Sequence, residues 1–177
     1  VLAQSSDVEE IVIKGRVLQS DQVNALKIPT PIVNVPQSLS IITDIDLRKK
    51  GFKEISDVVK YTPGINSSLG EGHRDAVVFR GVRSTADFFQ DGVRDDVQYY
   101  RPLYNVEQVE VLRGPNALLF GRGGTGGVIN RVSKKPVNGK EFKIVDLGYD
   151  SFGASDISVD LNTNLSESVA FRLNVHN

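Results

Sequence analysis

Apolar positions change their spacing twice along this chain. Residues 5–26 are polar apart from one cluster, Ile11, Val12 and Ile13, so residues 1–26 read as a flexible N-terminal segment with no face to bury. Pro29, Pro31 and Pro36 hold the next stretch extended. Residues 40–43 predict a short buried strand. Asp44 or Asp46 is placed to cap the helix that follows through Leu47 and Lys50, and Gly51 suits its left-handed end. Ile55, Val58, Val59 and the neighbouring Tyr61 recur at helical spacing, and Pro63-Gly64 closes that second helix. Residues 77–80 predict a strand. Residues 87–90 and 93–95 predict a hairpin across Asp91-Gly92, because that dipeptide tolerates the positive φ of a two-residue turn. Asn105 is placed to cap a short helical turn before a strand over 109–112. Residues 27–137 therefore form a small, looped α+β body with a mixed sheet and short helices.

After Pro136 the spacing becomes strictly alternate. Val145, Leu147 and Tyr149, then Ile157, Val159 and Leu161, then Val169, Phe171, Leu173 and Val175 each lie two apart, most of them with polar neighbours. The segments are about nine residues long, close to the ~9–11 that a tilted strand needs to cross a bilayer. Residues 150–153 and 162–168 connect them. The pattern fits the first antiparallel strands of a transmembrane β-barrel over 138–177, about three strands of an incomplete barrel; a soluble β-meander is the alternative.

Composition narrows the function classes. The chain has 177 residues, and 40% hydrophobic content is enough for a core. Its 21 basic and 22 acidic side chains nearly cancel, which gives no field for binding nucleic acid. It has no Cys, so disulfides and thiolate metal sites are excluded. No apolar run of helix-spanning length occurs. Val1-Leu2-Ala3 reads either as the end of a secretory signal cut after Ala3 or as the start of a flexible tail. His73 and His176 are the only imidazoles, and Asp95-Asp96 and Glu9-Glu10 would diverge on a strand, so no metal, cofactor or catalytic pair is expected.

Residues 104–136, YNVEQVEVLRGPNALLFGRGGTGGVINRVSKKP, combine a strand, an Arg-Gly-Pro corner, five glycines between Gly121 and Gly127, and a second strand. The run satisfies GxGxxG, with Asp146 20 residues beyond Gly126. No helix can follow it, since Val128 and Ile129 lead into a strand, so a phosphate has no helix N-terminus to sit on. An enzyme using this loop would need nucleotide binding that Gly123→Val abolishes, and none is expected.

The same stretch resembles the plug domain of TonB-dependent outer-membrane receptors, in their siderophore-receptor branch. Three further motifs occur in the family's order: Glu10-Ile11-Val12-Ile13-Lys14; VPQSLSIIT from residue 35 with YTPGI from residue 61; and Phe79-Arg80-Gly81 with Asp91-Gly92. The resemblance implies a plug inside a barrel of about 22 strands, importing a ferric siderophore, with iron entering only inside its chelator and no cofactor. It implies a monomer in the outer membrane, with plug and coupling segment facing the periplasm. This chain holds about three of those strands, and three cannot close a cylinder.

Glu10, Ile11, Val12, Ile13 and Lys14 resemble the TonB box, a β-prone segment that can add as a strand to the periplasmic partner TonB. Arg80 and Arg113 match the paired plug arginines that face wall glutamates and lock plug to barrel. With most of the wall lacking, they are expected to be exposed or paired locally with Glu107 or Glu110. His73, Arg74, Tyr99, Tyr100 and Arg101 lie on candidate loops for the ligand surface, although Tyr99 and Tyr100 equally suit core or wall contacts. A barrel-less periplasmic binding or signalling module reusing the plug fold is the competing reading.

Overall fold

Proline and glycine cut the first part of the chain into short elements, and in a computed structural model these gather around one long strand. The structure describes residues 22–24, 30–68, 74–84, 87–114 and 126–177. Strand β1 (Gln22–Val23) pairs antiparallel with β2 (Thr30–Pro31), and a 3-10 turn over Ile32–Asn34 leads to β3 (Ser38–Thr43). Helices α1 (Asp44–Lys50) and α2 (Ile55–Lys60) follow, then β4 (Ile65–Ser67), β5 (Val77–Phe79) and β6 (Val82–Ser84), which form a small antiparallel sheet. Strands β7 (Phe88–Gln90), β8 (Val93–Arg94), β9 (Val106–Arg113) and β10 (Gly127–Ser133) join β3 in a five-stranded mixed sheet of order β3-β9-β10-β7-β8. Its β7–β10 pairing is parallel and its other pairings are antiparallel.

Local chemistry explains the boundaries. The cap of α1 is Thr43, not Asp44 or Asp46: its hydroxyl accepts from the Asp46 amide while the Asp46 carboxylate accepts from the Thr43 amide. Asp46 thus contributes from the third helical position, as a capping box requires. Gly51 ends the helix at φ 65°, ψ 31°. In α2, Ile55, Val58 and Val59 face inward, whereas Tyr61 follows the last turn, 69% exposed, its ring tilted by 36° against Phe52 at 5.0 Å between centroids. Asp91 and Gly92 both have positive φ, 49° and 78°, as a twisted two-residue hairpin demands. Asn105 caps no helix; it sits in a turn whose carbonyl accepts from the Lys134 amide, directly before β9.

The main sheet is covered on both faces. Val109, Val111 and Ile129 point to one side, into a core with Leu47, Ile55, Val58, Val77 and Phe79. Leu112 and Val128 point to the other, against Phe89 and Val23. Val23 is fully buried, so residues 22–24 belong to the folded body and not to a flexible segment ending at 26. The sequence offered no period there because a single side chain makes the anchor.

Strands β11 (Phe142–Tyr149), β12 (Ser155–Ser166) and β13 (Val169–His176) form a separate antiparallel sheet. β12 runs past the expected loop start at Asn162: Asn162, Thr163 and Asn164 pair with Arg172, Phe171 and Ala170. Polar residues continue the strand because its inward face is polar.

Gly127 marks the tightest approach in the body. A Cβ there would lie 2.6 Å from the Leu112 carbonyl oxygen and 2.6 Å from two Phe79 ring carbons. Gly127→Ala is expected to destabilise the body by about 1–3 kcal/mol, the usual cost of overpacking, measured as a lowered midpoint of urea unfolding.

Candidate functional site

Alternation along β11–β13 sorts side chains by chemistry. Val145, Leu147, Tyr149, Ile157, Phe171, Leu173 and Val175 form one exposed face. Cross-strand register keeps that face continuous, since Val145 pairs with Val159 and Val159 with Val175. Asp156, Asp160, Asn162 and Arg172 occupy the opposite face, which meets the body.

The seam between the two is polar. Arg172 grips Asp160 with two parallel bonds, Nε to Oδ1 at 2.9 Å and Nη2 to Oδ2 at 2.8 Å. Its Nη1 reaches Glu107 at 3.1 Å and the Lys135 carbonyl at 3.0 Å, both on the body. From the body side, Lys134 Nζ meets the same Asp160 oxygen at 2.9 Å and the Tyr104 carbonyl at 2.8 Å. The side chains of Arg172, Asp160 and Lys134 are 4%, 6% and 8% exposed, so the carboxylate is shared by two dry cations, and Glu107 at 45% closes the rim. Asn162 brackets the connecting segment by donating to the carbonyls of Val137 and Lys140 and accepting from the Val137 amide. An exposed Lys53–Asp156 ion pair and a Tyr104–His176 ring stack at 5.2 Å complete the contact. Between them lies a cleft of about 410 Å³ lined by Phe52, Lys53, Tyr104, Lys134, Asp156 and His176.

The expected locking pair sits elsewhere. Arg80 is exposed at φ 48°, one residue beyond β5. Arg113, half-buried, donates from Nε to the Pro63 carbonyl at 2.7 Å and from Nη2 to Ser40 Oγ at 2.8 Å. Local pairing with Glu107 or Glu110 does not occur. Glu107 goes to Arg172, and Glu110 lies wholly inside, accepting from Asn24, Gln108 and Asn130. Burial, and then the neighbouring Arg80 charge, pull the Arg113 guanidinium below its ordinary range. Among the described residues, neither arginine meets a carboxylate. The seam cluster of Lys134, Asp160 and Arg172 was missed by sequence reasoning; the available signal was a charged residue at an inward position of each of two alternating strands, Asp160 in β12 and Arg172 in β13.

The candidate ligand residues divide. Tyr100 is 38% exposed. Arg74 is half-buried and bonds Gln98. Tyr99 is half-buried, its hydroxyl on Asp95 at 2.6 Å. Arg101, expected at the surface, is 1% exposed: it binds Asp95 and the carbonyls of Asp95, Val97 and Tyr99, and its guanidinium lies 3.9 Å over Phe88. It organises the loop from within. Asp75 accepts from the Arg101 amide at 2.7 Å while the Asp75 amide donates to the Tyr99 carbonyl, so the pair ties the 74–76 and 99–101 segments together. Burial pushes the Asp75 carboxyl up to about 6, only partly offset by the Arg101 bond. Glu10, Ile11, Val12, Ile13, Lys14, His73 and the glycines from 121 to 124 lie outside the described residues.

The family model for the TonB-dependent receptor plug domain matches residues 31–128. Among curated relatives, a probable TonB-dependent receptor of Bordetella pertussis, BfrD, is 34% identical over 89% of this chain and 21% of its own length. The ferrioxamine B receptor of Salmonella typhimurium is 33% identical over 98% of this chain and 26% of its own. The closed form of the ferric-catecholate import receptor Fiu from E. coli K12 superposes with a TM-score of 0.80 at 27% identity, covering 89% of this chain and 23% of that one. The siderophore receptor PiuA of Acinetobacter baumannii gives 0.79 at 28%, covering 91% and 23%. The chain spans about a fifth to a quarter of the length of the curated relatives it matches.

Removing the shared acid strands two buried cations. Asp160→Asn is therefore expected to loosen β12 and β13 from the body at a cost on the order of 3–5 kcal/mol, read as faster amide exchange in both strands with the body's own exchange unchanged. Asp75 gives a pH signature. Its folded carboxyl keeps a proton to higher pH than the unfolded one, so its contribution to stability is fully present below about pH 3.8 and is lost as pH rises through about 6. Asp75→Asn should flatten that decline and raise the melting temperature at pH 7.

Proposed function

The chain belongs to the TonB-dependent receptor plug family, and from that premise we propose that it is the plug, with the first wall strands, of an outer-membrane receptor that imports a ferric siderophore. One observation carries this reading: the β11–β13 sheet turns a polar face to the body and a continuous apolar face outward. Lipid accepts such a face, whereas a barrel-less periplasmic module would leave it in water. The polar seam then becomes the contact between plug and lumen wall.

Binding and transport follow without chemistry on the ligand. The chelate is held at the outer apex by loops that include His73, Arg74, Tyr99 and Tyr100, where aromatic and cationic groups suit a flat, anionic ferric complex. Arg101 and Asp75 set the spacing of these loops from below. Arg80 and Arg113, side by side and without a carboxylate among the described residues, await acidic partners from wall strands beyond these three. On the periplasmic side, residues 10–14 add as a strand to TonB, and traction on that segment opens a way past the plug. The receptor acts as a monomer.

The test separates coupling from binding. Proline carries no amide hydrogen and interrupts strand addition, so Val12→Pro in the full-length receptor is expected to reduce ferric siderophore uptake to background while whole-cell binding of the chelate is unchanged. Uptake at the parental rate would refute the coupling role of residues 10–14.

A further inference from the structure

The segment that joins the body to the β11–β13 sheet turns on an Asn-Gly pair, Asn138-Gly139, and both residues are exposed. Gly139 has φ 76°, and among the described residues nothing occupies the space where a Cβ would project. With no side chain to shield it, its amide nitrogen is open to the asparagine before it. That side chain is folded onto it: the Gly139 amide lies 3.2 Å from Asn138 Oδ1. The two groups of a ring closure are therefore already side by side. What restrains them is β12 and the turn after it. The same Gly139 amide donates to Asn164 Oδ1 at 3.0 Å, and Asn138 Nδ2 donates to the Glu167 carbonyl at 2.8 Å. On either side, Asn162 Nδ2 holds the Val137 carbonyl at 2.9 Å and the Lys140 carbonyl at 2.7 Å.

We infer that Asn138 is a self-modification site, converting to aspartate and isoaspartate at a rate set by the grip of β12 on this segment. The Gly139 nitrogen attacks Asn138 Cγ; the new C–N bond forms as the Cγ–Nδ2 bond breaks, and Nδ2 leaves as ammonia with the proton that the Gly139 nitrogen gives up. Water then opens the five-membered imide at either carbonyl. Asparagine is among the chemically labile residues, and here each restraint acts on an atom of the reaction. The nitrogen that must lose its proton is held as a donor by Asn164, and the nitrogen that must leave is held by Glu167. The product weakens the restraint in turn. Aspartate at 138 removes the amide donor and sets a carboxylate against the Glu167 carbonyl. Isoaspartate also adds a carbon to the main chain between the two carbonyls that Asn162 holds, so both cannot stay in their present register. Modification therefore slackens the junction between body and sheet, and it does not reverse.

Peptide mass spectrometry of the full-length receptor, after prolonged incubation in detergent at mildly alkaline pH, tests this. The parent is expected to convert slowly at position 138, with isoaspartate among the products, and the urea-unfolded receptor to convert faster. Asn164→Ala takes the acceptor from the Gly139 amide and should speed conversion of the folded receptor about 3–10-fold, the range for one neutral hydrogen bond lost. Asn164→Asp keeps an acceptor for that amide and should hold the parental rate. Asn138→Gln, which would have to close a larger ring, should show no conversion at 138. In the modified fraction of the parent, the Val137 amide, which donates to Asn162 Oδ1, should exchange faster than in the unmodified fraction. Equal rates in the parent and Asn164→Ala would overturn the gating by β12. No conversion in either folded protein, alongside conversion of the urea-unfolded receptor, would overturn the site itself.

Discussion

A sheet strand buried on both faces needs two covers, and β9 sets that requirement for the whole body. Its odd positions, Val109 and Val111, are covered by α1, α2 and the small β4–β6 sheet, while Leu112 and Glu110 on the even side are covered by the chain's own entry segment. Because the second cover is only a few residues wide, a carboxylate can sit beneath it, satisfied by amides from three directions. The same economy explains Gly127, where β10 can lie beside β9 beneath the Phe79 ring only without a side chain.

The body and the β11–β13 sheet meet on different terms. Apolar burial holds the body together and backbone ladders hold the β11–β13 sheet, but between them there are ion pairs, amide brackets and one ring stack. Charges favour geometry over strength: a buried pair adds little net stability compared with apolar contact, yet it fixes register sharply. Separating the body from that sheet would uncover polar surface that water can solvate, a balance that suits the displaceable plug proposed above.

Much of this was legible beforehand, for physical reasons that differ by element. The helix ends at Gly51 and the Asp91-Gly92 turn were readable because their φ angles admit few residue types, and the outer strands because alternation is itself the consequence of two different solvents. Positions set by single side chains were not. Val23 has no periodic companions, Thr43 displaced the more obvious aspartates by one hydrogen bond, and Arg101 looked like a surface cation although its donors all turn inward. Lys134, Asp160 and Arg172 are far apart in sequence, and only the hairpin register of β12 with β13 brings the last two together.

The seam also contains two electrostatic classes with different sensitivity to the surrounding medium. The Lys53–Asp156 pair stands partly in solvent, with side chains 60% and 26% exposed, and mobile ions can screen it. Arg172, Asp160 and Lys134 are shielded from those ions by the strands themselves. Rising ionic strength would therefore slacken the Lys53–Asp156 tether while the Asp160 clasp held, so the contact between body and β11–β13 sheet loosens at one edge without coming apart.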